Sequence, residues 1–142
     1  MYVKDILQHK GNDVFTVSPE ATVKELAKSL AVHGIGAAVV VDGDNGVAGV
    51  VSERDVVHGI AEHGDGCMTM PVRELMTTEV VTCDLDTQIQ EVMSLMTERR
   101  FRHVPVVQEG ALIGLVSIGD VVRDRIAEAE REAAQLRQYI TA

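Results

Sequence analysis

Two serines and two aspartates stand at matched places in this chain. Gly49-Val50-Val51-Ser52-Glu53-Arg54-Asp55 and Gly114-Leu115-Val116-Ser117-Ile118-Gly119-Asp120 share one pattern: Gly, two apolar residues, Ser, two variable residues, Asp. In each copy a β-branched run leads in and an apolar-periodic segment follows, so Ser52 and Ser117 fall where a strand hands over to a helix. The first turn of a helix carries unpaired N–H groups and the positive end of the helix dipole, which together attract an anion such as phosphate. An Asp one turn further on is placed to accept hydrogen bonds from a ribose diol. The same spacing also serves a helix that binds nothing, because Ser followed three residues later by an acid has the character of a capping box.

The duplication extends well beyond these motifs. Val3-Lys4-Asp5-Ile6-Leu7 has the same order of apolar, basic and acidic residues as Val72-Arg73-Glu74-Leu75-Met76, 69 residues later. Val14-Phe15-Thr16-Val17-Ser18 is matched by the β-rich run Val80-Val81-Thr82-Cys83-Asp84 at an offset of 66, the difference lying in Lys10-Gly11-Asn12-Asp13. Val23, Leu26, Ala27 and Leu30 have helical spacing, and Ile89, Val92, Met93 and Met96 repeat it, so the two helices bury equivalent faces. Thr22 with Glu25, and Thr87 with Gln90, predict the two helix starts as capping-box pairs.

Strands are predicted over 37–41 with 47–51 and over 103–107 with 112–116, joined by Asp42-Gly43-Asp44-Asn45-Gly46 and Gln108-Glu109-Gly110. A helix then starts at each Ser motif, and His63-Gly64-Asp65-Gly66 closes the first copy. The expected fold class is α/β (α+β): two strand-helix-strand-strand-helix repeats, 1–66 and 67–142, related by a pseudo-two-fold axis. A unit of about 60 residues has little core of its own, so the pair is the folding entity and the two junctions face a cleft between repeats. Val122, Ile126, Ala129, Ala133, Leu136 and Ile140 continue a heptad-like stripe past the second repeat. This predicts an extended C-terminal helix that packs on a partner subunit or back on its own module, and a homodimer.

Composition narrows the classes. The chain has 142 residues, of which 46% are hydrophobic, 25% charged and 3% aromatic, as in a globular domain with an aliphatic core. A net charge of −9 disfavours nonspecific association with nucleic acid or an anionic membrane. No apolar run approaches the roughly 20 residues of a spanning helix. Cys67 and Cys83 are the only cysteines, and the first residues lack the apolar core of a signal peptide, so a reduced, cytoplasmic setting is expected. His9, His33, His58 and His63 show no metal-ligand spacing, and no nucleophile, base and orienter can be assembled. Neither a metal nor catalytic residues are expected.

The ordered recurrence of Gly-x-x-Ser-x-x-Asp, the Val-Lys-Asp-Ile and Val-Arg-Glu-Leu openings, the run Arg102-His103-Val104-Pro105-Val106-Val107 and the repeat length together resemble a tandem pair of CBS (cystathionine-β-synthase) domains over nearly the whole chain. The resemblance implies a sensor module that binds an adenosine-containing ligand, AMP, ATP or NAD foremost and S-adenosylmethionine less so, in two clefts between repeats. It gives Ser52 and Ser117 the phosphate contact and Asp55 and Asp120 the ribose hydroxyls. Backbone groups of Thr16-Val17 or Thr82-Cys83 would meet the adenine, and Ala37-Ala38 or Val104-Pro105 would pack on its face. Flat homodimers are also implied.

The copies are not equal. Gly36-Ala37-Ala38-Val39 in the first stands where the second has Arg102-His103-Val104-Pro105, so a cationic pair is expected at the second cleft's entrance, beside Arg99 and Arg100. These arginines either neutralise phosphate or form a solvated helix end. His103 either contacts a phosphate or packs. Arg54 lies inside the first motif, where the second has Gly119. Lys10 lies in the insertion before the first short strand, which either folds over a cleft or is a surface turn. The leading expectation is a non-catalytic adenine-nucleotide sensor that signals to a protein target. The alternative is a dimeric scaffold whose junction motifs are only caps. A nucleotide-metabolising enzyme is disfavoured.

Overall fold

The computed structural model describes residues 1–43 and 46–141. Asp44 and Asn45, from the expected first hairpin turn, lie outside the described residues, as does Ala142. The element order is α1 (Val3–Lys10), β1 (Thr16–Val17), α2 (Val23–His33), β2 (Ala37–Asp42), β3 (Gly46–Ser52) and α3 (Glu53–His63), then 3-10 turns over Gly64–Thr69 and Val72–Glu74. The second half continues with α4 (Ile89–Arg99), β4 (His103–Gln108), β5 (Ala111–Ser117) and the long α5 (Ile118–Thr141).

Strands β1, β2 and β3 form one sheet, with β1 parallel and β3 antiparallel to β2. Strands β4 and β5 form an antiparallel hairpin. The hairpins are close copies: Ala37 pairs with Ser52 and His103 with Ser117, and each shifts register once, at Val40/Val41 and Val106/Val107. The β-rich run 80–84 makes no strand; only Cys83 forms a parallel bridge to Val106, with Cys83 N–H donating to Pro105 O (3.0 Å) and Val107 N–H to Cys83 O (2.8 Å). The reason lies upstream. Thr77 pairs with Val50 on the free edge of β3 through bonds of 2.9 and 3.1 Å, so the residues between Thr77 and Cys83 are spent crossing from one sheet to the other.

Helix α2 starts as predicted: Glu25 N–H donates to Thr22 Oγ1 (3.1 Å) and the Glu25 carboxylate accepts from Thr22 N–H. Thr87 does not cap α4. Its hydroxyl is taken by Asp84, accepting from Asp84 N–H (3.0 Å) and donating to Asp84 Oδ1 (3.1 Å), and Gln88 stands at the cap position without a side-chain bond. Instead Ile89 N–H donates to Met1 O (3.0 Å), just as Val23 N–H donates to Met70 O (2.9 Å). Each helix is thus met by the chain that opens the other repeat.

That exchange builds both cores. Val3, Ile6 and Leu7 of the first opening segment pack with Ile89, Val92, Met96, Val104, Val106, Val116 and Val121 of the second half. Val72, with Leu75 and Met76 against it, packs with Val23, Leu26, Leu30, Ala38, Val40, Val51 and Val56 of the first. Neither half closes its core from its own residues, which is how units of about 60 residues reach a sufficient core.

The glycine of each motif follows from this packing. A Cβ on Gly49 would stand 2.7 Å from Thr77 O and 2.8 Å from Met76 Sδ, and one on Gly114 would stand 3.0 Å from Leu7 Cδ2. Helix α5 continues past the cores, and its predicted stripe faces outward: Val122, Ile126, Leu136 and Ile140 are exposed. Among the described residues no helix is long and apolar enough to cross a membrane.

Candidate functional site

Both Ser motifs end a strand and start a helix, as their spacing predicts. Ser52 closes β3 in extended conformation and caps α3: its N–H donates to Asp55 Oδ2 (2.8 Å), its hydroxyl donates to the same oxygen (3.1 Å), and Asp55 N–H donates back to Ser52 Oγ (3.4 Å). At the second junction Ser117 N–H donates to Asp120 Oδ2 (2.8 Å) and Asp120 N–H to Ser117 Oγ (3.2 Å). Both pairs are capping boxes in the free chain. An anion arriving at either helix start meets a serine already engaged with its aspartate.

The surroundings of the two junctions differ. Ser52, Arg54 and Asp55 line a cleft of about 790 Å³ whose opposite wall comes from the second repeat: Arg99, Arg100, Phe101, Arg102, His103 and Ile118. The arginines therefore face the first junction rather than standing at the entrance of a second cleft. The point where a Cβ on Gly36 would sit lies 4.0 Å from His103 Nε2, so the imidazole abuts the first repeat. Arg100 ends α4 in the left-handed conformation, φ 59°, at the place where the first repeat has Gly34, φ 63°. Holding a non-glycine residue there costs of the order of 1 kcal/mol, a strain of the kind found at functional sites.

The second junction is closed over by charge. Lys10 Nζ donates to Asp120 Oδ2 (2.6 Å) and to Leu115 O (2.5 Å), and Arg123 donates to Asp120 Oδ1 (2.7 Å). Asp120 is the one buried charged residue among those described, 7% exposed. Burial pushes its carboxyl upward, but Lys10 and the Ser117 donors outweigh that and hold it below the usual carboxylate range. A second cavity, about 890 Å³, runs between α1 and α5 past Lys10, Asp120 and Arg123.

His103 lies between the two junctions. Burial lowers its pKa, Lys10 and Arg102 lower it further, and Asp120 and Asp55 only partly oppose them, so the ring is held neutral at neutral pH.

The remaining sequence candidates stand back from the open cleft. Thr16 and Val17 are paired along β2. Ala37, Ala38, Val104 and Pro105 are buried in their hairpins. Thr82 is exposed beside Cys83, whose thiol donates to Pro105 O (3.7 Å) and is pushed up to about 12 by burial and then by Asp84. Residues not singled out from sequence complete the cleft: Gly36, Val50, Thr77, Glu79, Val80 and Val81. The missed signal was the opening segment Val72–Met76, since a chain that pairs with β3 at Thr77 must deliver the residues after it to the Ser52 junction. Among the described residues no three His, Cys, Asp or Glu side chains cluster as metal ligands.

A duplicated unit, with exchanged opening segments and a ligand-sized cleft lined by both halves, defines a tandem-repeat module. Residues 3–62 and 72–126 each match the CBS domain, and the chain belongs to the CBS-domain family as a tandem pair. It is 34% identical, over 97% of its length and 71% of the relative's, to the mitochondrial CBS domain-containing protein CBSX3 of Arabidopsis thaliana. Its fold is similar to the crystal structure of the CBS-domain containing protein ATU1752 from Agrobacterium tumefaciens, at 45% identity and TM-score 0.85 over 88% of this chain and 99% of that one. It is also similar to the CBS domain pair of protein MJ0100 in complex with 5'-methylthioadenosine and S-adenosyl-L-methionine, at 26% identity and TM-score 0.80 over 90% of this chain and 98% of that one.

Proposed function

We propose that this chain is a non-catalytic regulatory module that binds an adenine nucleotide between its two repeats, with the repeats taken as 1–66 and 67–142. The observation that carries the reading is the cleft at Ser52. One repeat supplies the helix start and the Asp55 carboxylate, and the other supplies Arg99, Arg100 and Arg102. A ligand seated there contacts both repeats at once, so its binding energy differs between arrangements of the halves, as a sensor requires. Adenosine ligands in the MJ0100 pair support the class. Three guanidiniums favour phosphate-bearing AMP, ATP or NAD over the sulfonium of S-adenosylmethionine, which brings a positive charge among like charges.

In this reading Ser52 and Arg102 hold phosphate, Asp55 holds the ribose diol, and Arg54 stands at the rim. The buried, high-pKa Cys83 supports a role without nucleophilic chemistry, since its thiol stays protonated at neutral pH. Two free buried thiols suit a cytoplasmic setting. The exposed apolar residues of α5 support a homodimer and a protein target reading the change.

Calorimetry with AMP, ATP, NAD and S-adenosylmethionine tests the proposal. Saturable binding weakened at least tenfold by Asp55→Ala is expected. A second reading, a dimeric scaffold without ligand, is favoured by the capping boxes that already satisfy both serines. Absence of binding to all four compounds decides for the scaffold.

A further inference from the structure

The two aspartates that the nucleotide reading assigns to ribose are in opposite states. Both oxygens of Asp120 are taken, Oδ1 by Arg123 and Oδ2 by Lys10 and Ser117 N–H. Asp55 uses only Oδ2, on Ser52; among the described residues no donor reaches its Oδ1, and no Lys, Arg or His comes within ion-pair distance of it. A diol needs at least one carboxylate oxygen with room for it, and Asp55, on the wall of an open cleft, has Oδ1 free of any protein donor while both oxygens of Asp120 are taken by Lys10 and Arg123.

The difference has its origin in one exchanged charge. The opening segments are related by 69 residues, and the same offset takes Lys10 to Glu79. The exchange of opening segments carries each of these residues to the other repeat's junction: Lys10 to Asp120, Glu79 to the wall of the cleft that holds Asp55. A lysine there neutralises the aspartate and ties α1 to β5 through Leu115 O as well. A glutamate brings no countercharge to the aspartate and leaves it without a partner cation. The next turn of helix reinforces the contrast, since Arg123 lies on Asp120, whereas the residue 65 positions earlier is His58.

We infer that Lys10 is a built-in occupant of the second nucleotide site: it holds Asp120 in place of a ligand's hydroxyls, so the free chain takes one nucleotide, at Ser52–Asp55, and a second enters only when the end of α1 lets go. The inference rests on the nucleotide reading of the preceding section. It makes the two sites differ in kind. One is open to ligand, and the other is coupled to release of α1, whose Val3, Ile6 and Leu7 are part of the second core.

Calorimetric titration with AMP of the full chain and of Lys10→Met tests this. One site per chain is expected in the wild type and two in Lys10→Met, the added site being lost again in Lys10→Met with Asp120→Ala. Dispersed amide NMR spectra check that the variants are folded; if the methionine loosens α1, Lys10→Gln, which is shorter and uncharged but offers an amide donor to Leu115 O, takes its place. Two sites in the wild type, or equal site numbers in wild type and variant, overturn the inference and leave the nucleotide reading standing. No binding of AMP, ATP, NAD or S-adenosylmethionine to either protein overturns the nucleotide reading, and the role of Lys10 falls with it.

Discussion

Met76 Sδ lies 2.8 Å from the point at which a Cβ on Gly49 would sit, with the Thr77 carbonyl at 2.7 Å beside it. The glycine that opens the first Ser motif is therefore a packing requirement of the segment laid across it. Gly49→Ala is expected to destabilise the chain by about 1–3 kcal/mol, since the Thr77 carbonyl is fixed by its bond to Val50 and cannot retreat. Gly114→Ala, which meets only the end of Leu7 at 3.0 Å, costs less. Urea unfolding of the two variants compares them directly, and a larger loss at Gly114 contradicts the account.

Arg100 occupies a left-handed position that its sister repeat gives to Gly34. Arg100→Gly is expected to raise stability by about 1 kcal/mol. The same change removes one cation from the cleft and should weaken AMP binding by about fivefold to tenfold. A thermal melt and a titration on one sample measure both; a variant that is more stable and binds AMP unchanged removes Arg100 from the phosphate contact.

Asp120 has a carboxyl pKa lowered in the fold, so its stabilising contribution is complete above the ordinary carboxylate value of 3.8 and is lost as pH falls through that value towards the folded one. Wild type is expected to lose stability steeply in that window. Asp120→Asn, which cannot titrate, flattens the slope. Urea midpoints from neutral pH down to about pH 3 show whether the two curves converge on acidification.

For His103 the sign is the same and the window is higher. Its folded pKa lies below 6.5, so its contribution is complete above 6.5 and declines as pH falls through that value towards the folded one. A phosphate among Arg99, Arg100 and Arg102 adds negative charge near the ring and should move the His103 pKa upward. An NMR titration of the imidazole with and without AMP reads the shift directly. An unmoved curve in the presence of bound AMP places the phosphate elsewhere.

Much of this architecture is legible in the residue pattern. Matched apolar spacing locates α2 and α4, β-branched runs locate both hairpins, and Ser52 and Ser117 sit at their strand-to-helix junctions. What the pattern could not convey is which copy each opening segment serves. Val3–Leu7 and Val72–Met76 are equally suited to either core, and only the assembled chain shows them exchanged. That one ambiguity also hid Glu79 and Val80 as cleft residues, turned Arg102 towards the first junction and left His103 between the two. The strand expected over 80–84, of which only Cys83 pairs, and the cap expected at Thr87 fail for a local reason. A β-rich run and a Thr-x-x-Gln spacing were outweighed by the turn at 84–87 and by the crossing from Thr77.

The exchanged segments also order the events of synthesis. The first core has all its parts once Met76 has left the ribosome, so it can close while the rest of the chain is still being made. The segment at Val3–Leu7 waits longer than the one at Val72–Met76: Val3, Ile6 and Leu7 have no seat until Ile89, Val104 and finally Val121 have emerged. During that interval the apolar side of α1 has no seat, because the core it belongs to has not yet been made.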